Sequence, residues 1–106
     1  MNIQKLMKEA QKAQEKMRET QERLASLTVT GTAGAGLVTV TANGEGTVTS
    51  VKIDPKTVDP ADVELLEDLV TAAVADAQRQ ARELQQNEMG SALGGLGGLG
   101  GLGGMF

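Results

Sequence analysis

The sequence has 106 residues, of which 10 are Lys or Arg and 14 are Asp or Glu, so its formal net charge is −4. It contains no Cys, His, Trp or Tyr, and its single Phe is residue 106. The absence of Cys and His excludes disulfide bonds and thiolate chemistry, and removes the commonest general base and metal ligand. We therefore expect no enzyme, no cofactor, no metal site and no small-molecule substrate.

A chain of this length forms one small domain. Its core must be built from Val, Leu, Ile, Met and Ala, because aromatic residues are nearly absent. Such a core is small for one chain, and burying a shared face in a homodimer would enlarge it. The sequence has neither a signal peptide nor an apolar run approaching the ~20 residues of a membrane span, so we expect a cytoplasmic protein with no membrane role.

Residues 1 to about 26 have the pattern of a helix whose apolar positions recur at alternating spacings of three and four. This is the a/d pattern of a coiled coil, although alanines and a threonine make it thin. The seam consists of Ile3, Leu6, Ala10, Ala13, Met17, Thr20, Leu24 and Leu27. Its small residues permit close packing against a second helix.

The same helix carries most of the positive charge. Residues 1–27 contain six basic and four acidic residues, a balance of +2, whereas the remainder contains four basic and ten acidic residues, a balance of −6. At about 100° per residue, five basic side chains share one flank of the seam. They are Lys5, Lys8, Lys12, Lys16 and Arg23.

Two interpretations of this basic stripe stay open. The stripe could contact the phosphates of DNA, and a dimer would present two such stripes to one polyanion. Alternatively, it could be an ordinary solvated face, stabilised by the i,i+4 pairs Lys5–Glu9 and Glu19–Arg23.

Residues 28–54 alternate β-branched and polar side chains, which predicts a three-stranded antiparallel meander. The expected strands cover residues 27–30, 37–42 and 47–53, with Asn43-Gly44-Glu45-Gly46 as the second turn. The glycine-rich run 31–36 could be read as a phosphate-binding loop. Its spacing matches neither the P-loop nor the dinucleotide fingerprint, and a strand follows it, so we interpret it as a structural turn.

A second helix is expected to start at Asp59 as its N-cap, with Pro60 in the first helical position. Its narrow apolar stripe could lie on a sheet or another helix, and it consists of Leu66, Leu69, Val70, Ala73, Ala77, Ala81 and Leu84. Arg79 and Arg82 lie on the opposite side. From Gly90 the composition changes to a Leu-Gly-Gly repeat, so we expect residues 90–106 to form a disordered tail.

Several motifs, in register over residues 3–88, together resemble the YbaB/EbfC family of bacterial nucleoid-associated proteins. They include Leu6-Met7-Lys8, Thr30-Gly31, Gly36-Leu37-Val38, Ile53-Asp54-Pro55 and Leu66-Glu67-Asp68-Leu69-Val70. The resemblance implies an α+β fold with a long N-terminal helix, a three-stranded antiparallel meander and a long C-terminal helix. It also implies a homodimer with helices that project like tweezers, a nucleoid location, effects on nucleoid organisation and gene expression, and no enzymatic activity.

The resemblance further implies that residues 1–89 form a dimerisation domain that binds duplex DNA through its helices. Carried onto this sequence, the DNA-binding surface is the basic stripe of the first helix, with Arg79 and Arg82 assisting. Phosphate contacts carry no sequence information, so specificity should be low. The lack of aromatic side chains in the folded part argues against single-stranded partners. The alternative is a dimeric scaffold that binds proteins through the seam or the tail.

Overall fold

The computed structural model describes residues 2–94. In chain order, its elements are α1 (Ile3–Ser26), β1 (Thr28–Ala33), β2 (Val38–Asn43), β3 (Val48–Ile53), a short 3-10 turn (Pro55–Thr57) and α2 (Val63–Gly94). This arrangement confirms the predicted α+β fold of helix, antiparallel meander and helix. The predicted homodimer stays a prediction.

Helix α1 begins at a capping asparagine. The side-chain oxygen of Asn2 accepts hydrogen bonds from the backbone amides of Gln4 (3.1 Å) and Lys5 (3.3 Å), which satisfies donors that the helix itself leaves unpaired. The helix ends where Leu27 turns to extended backbone. Residues 3–12 are all exposed, and we call this segment the N-terminal arm.

The sheet has the order β1-β2-β3, and both pairings are antiparallel. Alternate residues of β2 point towards α2, as the period of two requires. Val38, Val40 and Ala42 are fully buried there against the small side chains of Ala73 and Ala77. The core therefore lies between α2 and the first two strands.

Helix α2 approaches β1 closely because β1 carries a glycine at the contact. A Cβ atom at Gly31 would overlap the backbone nitrogen of Ala77 and the carbonyl oxygen of Ala73. The alanine stripe of α2 and this glycine together bring the helix backbone onto the strand. The narrow apolar stripe predicted for the second helix is thus used against the sheet.

The glycine-rich run 31–36 divides into a strand end and a turn. Strand β1 extends through Ala33, three residues beyond the predicted end. The turn that follows holds Gly34, Ala35 and Gly36 at positive φ angles of 63°, 57° and 92°. Glycine adopts such angles without strain, whereas Ala35 is a non-glycine residue in the left-handed region, which is uncommon. The interpretation as a structural turn is confirmed for this part of the run.

The predicted start of α2 is wrong by several residues. The carboxylate of Asp59 accepts a hydrogen bond from the amide of Ala61 (2.9 Å) and so closes a separate turn. Asp62 is the residue that precedes α2, and its carboxylate accepts from the amide of Leu65 at 3.3 Å. An Asp-Pro pair fits an Asx turn as well as a helix cap, so the local sequence could not separate the two.

At its other end, α2 continues to Gly94. It therefore includes the first residues of the segment 90–106, which we predicted as a disordered tail. Residues 95–106 lie outside the described residues, and the boundary between a domain of residues 1–89 and a tail stays a prediction.

Candidate nucleic-acid interface

Three lysines of the basic stripe lie on the N-terminal arm. Lys5, Lys8 and Lys12 are exposed, and none of them forms an ion pair with another described residue. Lys5 and Lys12 are about 10 Å apart along the helix axis, at 1.5 Å per residue. Lys16, one turn further on, is half-buried. The arm thus presents ammonium groups along one flank to solvent.

The interpretation of the stripe as a solvated face relies on two i,i+4 ion pairs, Lys5–Glu9 and Glu19–Arg23. Neither pair forms in the structure. Arg23 does not pair with Glu19; its Nε lies 2.8 Å from a carboxylate oxygen of Glu88 in α2. Lys5 and Glu9 do not pair either. Arg23 is therefore held against α2 and is less available than the lysines of the arm.

Arg18, which lies outside the stripe, forms ion pairs with two glutamates of α1. Its guanidinium contacts Glu15 and Glu22 together, and its hydrogen bond with Glu15 is the largest cause that raises the pKa of Arg18. Arg18 is about 140° around the helix from Lys5, at 100° per residue. Arg18 thereby pairs with two of the four glutamates of α1.

Arg79 and Arg82 of α2 lie in different surroundings from the arm. Arg79 bridges Asp76 (2.5 Å) and Glu83 (3.1 Å), and its hydrogen bond to Asp76 is the main cause that raises its pKa. Arg82 is exposed and lines a shallow groove with Glu45 of the β2–β3 turn. That turn contacts α1 at Leu24, about 18 Å along the helix from Lys12. The structure does not bring these two arginines together with the lysines of the arm.

The predicted seam of α1 splits into two parts. At its C-terminal end, Thr20 and Leu24 are buried, 1% and 5% exposed. Met17 stands over a groove with Leu24 and with Met89 of α2. This half of the seam packs within the chain, against α2 and β2. Its predicted role in a dimer stays a prediction.

The N-terminal half of the seam has no such cover among the described residues. Ile3 is 70% exposed and Leu6 is 49% exposed. Ala10 is exposed and Ala13 is half-buried. The arm therefore carries an apolar strip beside its basic flank.

Residues 2–94 contain neither a cluster of metal-ligating side chains nor a helix that could span a membrane. Across that range, no group of three or more His, Cys, Asp or Glu side chains could hold a metal ion. None of the helices described there is long and apolar enough to cross a membrane. The buried side-chain nitrogen and oxygen atoms of this range all have hydrogen-bond partners.

Comparisons with known proteins identify the family of this chain. The model of the YbaB/EbfC DNA-binding family matches residues 1–96. A nucleoid-associated protein of Saccharopolyspora erythraea is 53% identical over 97 residues, which cover 89% of this chain and 84% of that protein. A nucleoid-associated protein of Mycolicibacterium vanbaalenii is 50% identical over 90 residues, which cover 85% of this chain and 82% of that protein.

The fold also has a solved counterpart. The crystal structure of an uncharacterized protein from Helicobacter pylori superposes with a TM-score of 0.78 at 22% sequence identity, covering 88% of this chain and 98% of that one. At that identity, the likeness supports the fold alone. The family match over nearly the whole chain and the relatives near 50% identity confirm the resemblance noted in the sequence: this chain belongs to the YbaB/EbfC DNA-binding family.

Proposed function

We propose that this protein is a nucleoid-associated protein that binds duplex DNA as a homodimer, through the lysines of the N-terminal arm. Binding has little sequence specificity, takes place in the cytoplasmic nucleoid, and affects nucleoid organisation and gene expression. The observation that carries the proposal is the exposure of Lys5, Lys8 and Lys12, without carboxylate partners among the described residues, on a helix segment clear of the core. The names of the relatives, nucleoid-associated proteins, point to the same partner.

The acidic net charge of −4 is compatible with this function because the charge is unevenly distributed. The arm carries three lysines and one glutamate, whereas residues 28–106 carry ten acidic side chains and four basic ones. Charges separated by more than a Debye length, about 8 Å at physiological ionic strength, are largely screened from each other. DNA is therefore attracted to the arms and repelled by the body.

The predicted DNA-binding residues contribute unequally in this proposal. Lys5, Lys8 and Lys12 make the main phosphate contacts, and the half-buried Lys16 and the exposed Arg82 assist. Arg23 and Arg79 contribute less, because each must leave a carboxylate partner before it can contact a phosphate. Lysine contacts with phosphates position a protein without reading base edges, which accounts for low specificity.

The proposal is tested by fluorescence anisotropy of a random-sequence duplex at several salt concentrations. We compare the wild type with the triple variant Lys5→Gln, Lys8→Gln, Lys12→Gln. The slope of log K against log salt is about −0.9 per phosphate neutralised. Loss of three contacts per subunit should therefore make the slope shallower by about 2.7 for each subunit bound.

Arg18→Gln is the matched control, since it removes one positive charge from the same helix at a site already occupied by two glutamates. We expect its slope to equal that of the wild type. An unchanged slope in the triple variant, or no wild-type binding even at low salt, would refute the proposal.

A second candidate function is a scaffold that binds another protein. The observation that favours it is the exposed apolar strip of the arm, in which Ile3 is 70% and Met7 is 58% exposed. Replacing both residues by Ser would abolish partner binding in a scaffold and would leave phosphate contacts intact. The lysine variant thus tests DNA binding, and the serine variant tests protein binding, on the same helix.

A further inference from the structure

Helices α1 and α2 lie side by side in opposite directions. Gly44 forms hydrogen bonds with both Leu24 of α1 and Gln85 of α2. Closer to the start of α1, Met17 shares a groove with Met89, which is closer to the end of α2. Residue numbers thus fall along α1 as they rise along α2, so the two helices are antiparallel.

The end of α2 coincides with the point where α1 becomes exposed. Helix α2 ends at Gly94, five residues after Met89 and about 7.5 Å further along its axis. The same distance along α1, from Met17 in the opposite direction, leads to Lys12. Residues 3–12 are the exposed N-terminal arm, and Ala13 is half-buried. The arm is therefore the part of α1 that extends past the end of α2.

The chain that follows Gly94 starts beside the arm and is long enough to cover it. Residues 95–106, which we call the Leu-Gly-Gly segment, comprise twelve residues and carry no charged side chain. The arm and Ala13 span about 15 Å along the helix axis. Twelve residues reach about 18 Å at the helical rise and about 37 Å at the polyproline II rise. Either conformation is long enough to run along the whole arm.

We propose that the leucines of the Leu-Gly-Gly segment dock on the apolar strip of the N-terminal arm of the same chain. The strip consists of Ile3, Leu6, Ala10 and Ala13. Among the described residues nothing covers its first half, where Ile3 is 70% and Leu6 is 49% exposed. The inference goes beyond the proposed function, because it concerns this strip and not the lysine flank.

The spacing of the leucines fits the strip. A polyproline II chain has three residues per turn, so a repeat of three places Leu96, Leu99 and Leu102 on one side, about 9.3 Å apart. Equivalent positions of the strip, such as Ile3 and Ala10, are separated by seven residues, or about 10.5 Å. The alanines leave room for larger side chains, and glycine allows the backbone to approach closely.

The covalent connection favours the same chain over another occupant. Glycine loses more conformational freedom than other residues when it is ordered, which is why composition alone predicts disorder here. A separate chain would have to offset this cost at its free concentration. The Leu-Gly-Gly segment is attached directly beside the strip, and a short connection gives an effective concentration of about millimolar.

Docking on the strip would leave the lysines accessible to DNA. At 100° per residue, Lys5 lies about 100° and Lys12 about 120° around the helix from Leu6. DNA could therefore bind the flank while the strip is covered. A protein partner that used the strip would first have to displace the Leu-Gly-Gly segment.

A nitroxide on the segment tests the contact directly, because the chain contains no Cys and a single introduced Cys is its only thiol. We label full-length Gly98→Cys and measure the broadening of amide signals by NMR. Docking should broaden the amides of residues 3–7, at the far end of the arm from Gly94. Additional replacement of Leu96, Leu99 and Leu102 by Ser should reduce this broadening at least about twofold, since burial of leucine drives the contact.

The matched control carries the same number of serines but keeps the leucines: Gly97→Ser, Gly100→Ser, Gly103→Ser in the labelled chain. We expect it to retain the broadening. Diluting the labelled chain with an excess of unmodified, isotopically unlabelled chain distinguishes the two possible occupants. Broadening within one chain stays constant, whereas broadening between chains is lost.

Hydrogen exchange tests the contact without a label. The leucine-to-serine variant should exchange the amides of the arm at least about threefold faster than the wild type, and the glycine-to-serine variant should not. Both variants should stay folded, because the core lies between α2 and the first two strands.

Equal broadening and equal exchange in the two triple variants would overturn the inference. Broadening that disappears on dilution would also overturn it, by assigning the strip to another copy of the chain. DNA binding enters neither measurement, so the inference and the proposed function can fail separately.

Discussion

The backbone amide of Gly44, in the turn between β2 and β3, donates a hydrogen bond of 2.8 Å to the carbonyl of Leu24, in the last full turn of α1. The carbonyl of Gly44 in turn accepts a hydrogen bond of 2.8 Å from the side-chain amide of Gln85 in α2. Two helices and the sheet thus meet at one small residue. This junction fixes the direction in which α1, and with it the N-terminal arm, leaves the body of the protein.

Gly44→Ala should weaken this junction. The added methyl group would lie 2.5 Å from the carbonyl oxygen of Leu24, and such overpacking costs about 1–3 kcal/mol. We expect a loss of that size in the free energy of unfolding, measured by urea titration. Gly90→Ala is the control: its methyl group meets nothing within 4 Å on α2, and the better helix propensity should stabilise the protein by about 0.5–1 kcal/mol.

Gly31→Ala should be more damaging than Gly44→Ala. Its methyl group would overlap two backbone atoms of α2, at Ala73 and Ala77, and neither can move unless the whole helix shifts. We expect a loss of about 3 kcal/mol or more in the free energy of unfolding. Thermal and urea unfolding measure it, and a loss below about 1 kcal/mol would contradict the close approach of α2 to β1.

The Asp76 carboxylate should make stability depend on acid pH. The hydrogen bond from the backbone amide of Thr32, followed by that from Arg79, lowers the pKa of Asp76 below its ordinary value of 3.8. A group whose pKa is lowered on folding stabilises the folded state above the unfolded pKa, and this contribution is lost as the pH falls through the folded pKa. The charge of Asp76 should therefore contribute most to the free energy of unfolding near neutral pH.

Asp76→Asn tests this dependence because it keeps an acceptor oxygen for Thr32 but carries no charge. We expect the variant to be less stable than the wild type near neutral pH. The gap in unfolding free energy should narrow progressively as the pH falls below 3.8. Urea titrations at a series of pH values measure the gap, and a gap of constant size would show that the charge of Asp76 is not involved.

Asn2→Ala should loosen the start of the N-terminal arm. Removing the side-chain oxygen leaves the amides of Gln4 and Lys5 without their cap, at a typical cost of about 1 kcal/mol in local helix stability. Because the arm is exposed, we expect faster amide exchange at residues 4 and 5 with little change in the global unfolding temperature. Asn2→Ser should keep slow exchange, since serine can accept the same hydrogen bonds. Equal exchange in both variants would show that the cap does not hold the arm.

The sequence alone predicted the elements that depend on local periodicity. The helix of α1, the three strands and the alanine stripe of α2 follow from spacings of 3.6 and 2 along the chain. The ends of elements were less accurate, because Asp59 and Asp62 both offer a side-chain oxygen to a following amide. Only the packed helix shows which aspartate precedes it.

The sequence predicted which basic residues could belong to the candidate site. It did not predict which of them are exposed and which are paired with carboxylates. The seven basic residues named from the sequence stay predictions for DNA contact, yet the structure gives them different surroundings. The pairing of Arg23 with Glu88 joins residues far apart in sequence. No periodicity within one helix indicates such a partner.

The sequence by itself determined that this chain forms a helix, a meander and a second helix. Each element is specified by the spacing of apolar residues within its own segment, and the backbone has only two regular structures that match such spacings. The tertiary structure decided which charged side chains are exposed and unpaired, and which edge of the sheet is covered. Asp76 and Gln80 of α2 form hydrogen bonds with the backbone of β1 at one edge of the sheet, while the residues of β3 at the other edge are exposed. The physical reason is that one helix packs its stripe of small side chains on β1 and β2, where the core lies, and leaves the residues of β3 exposed.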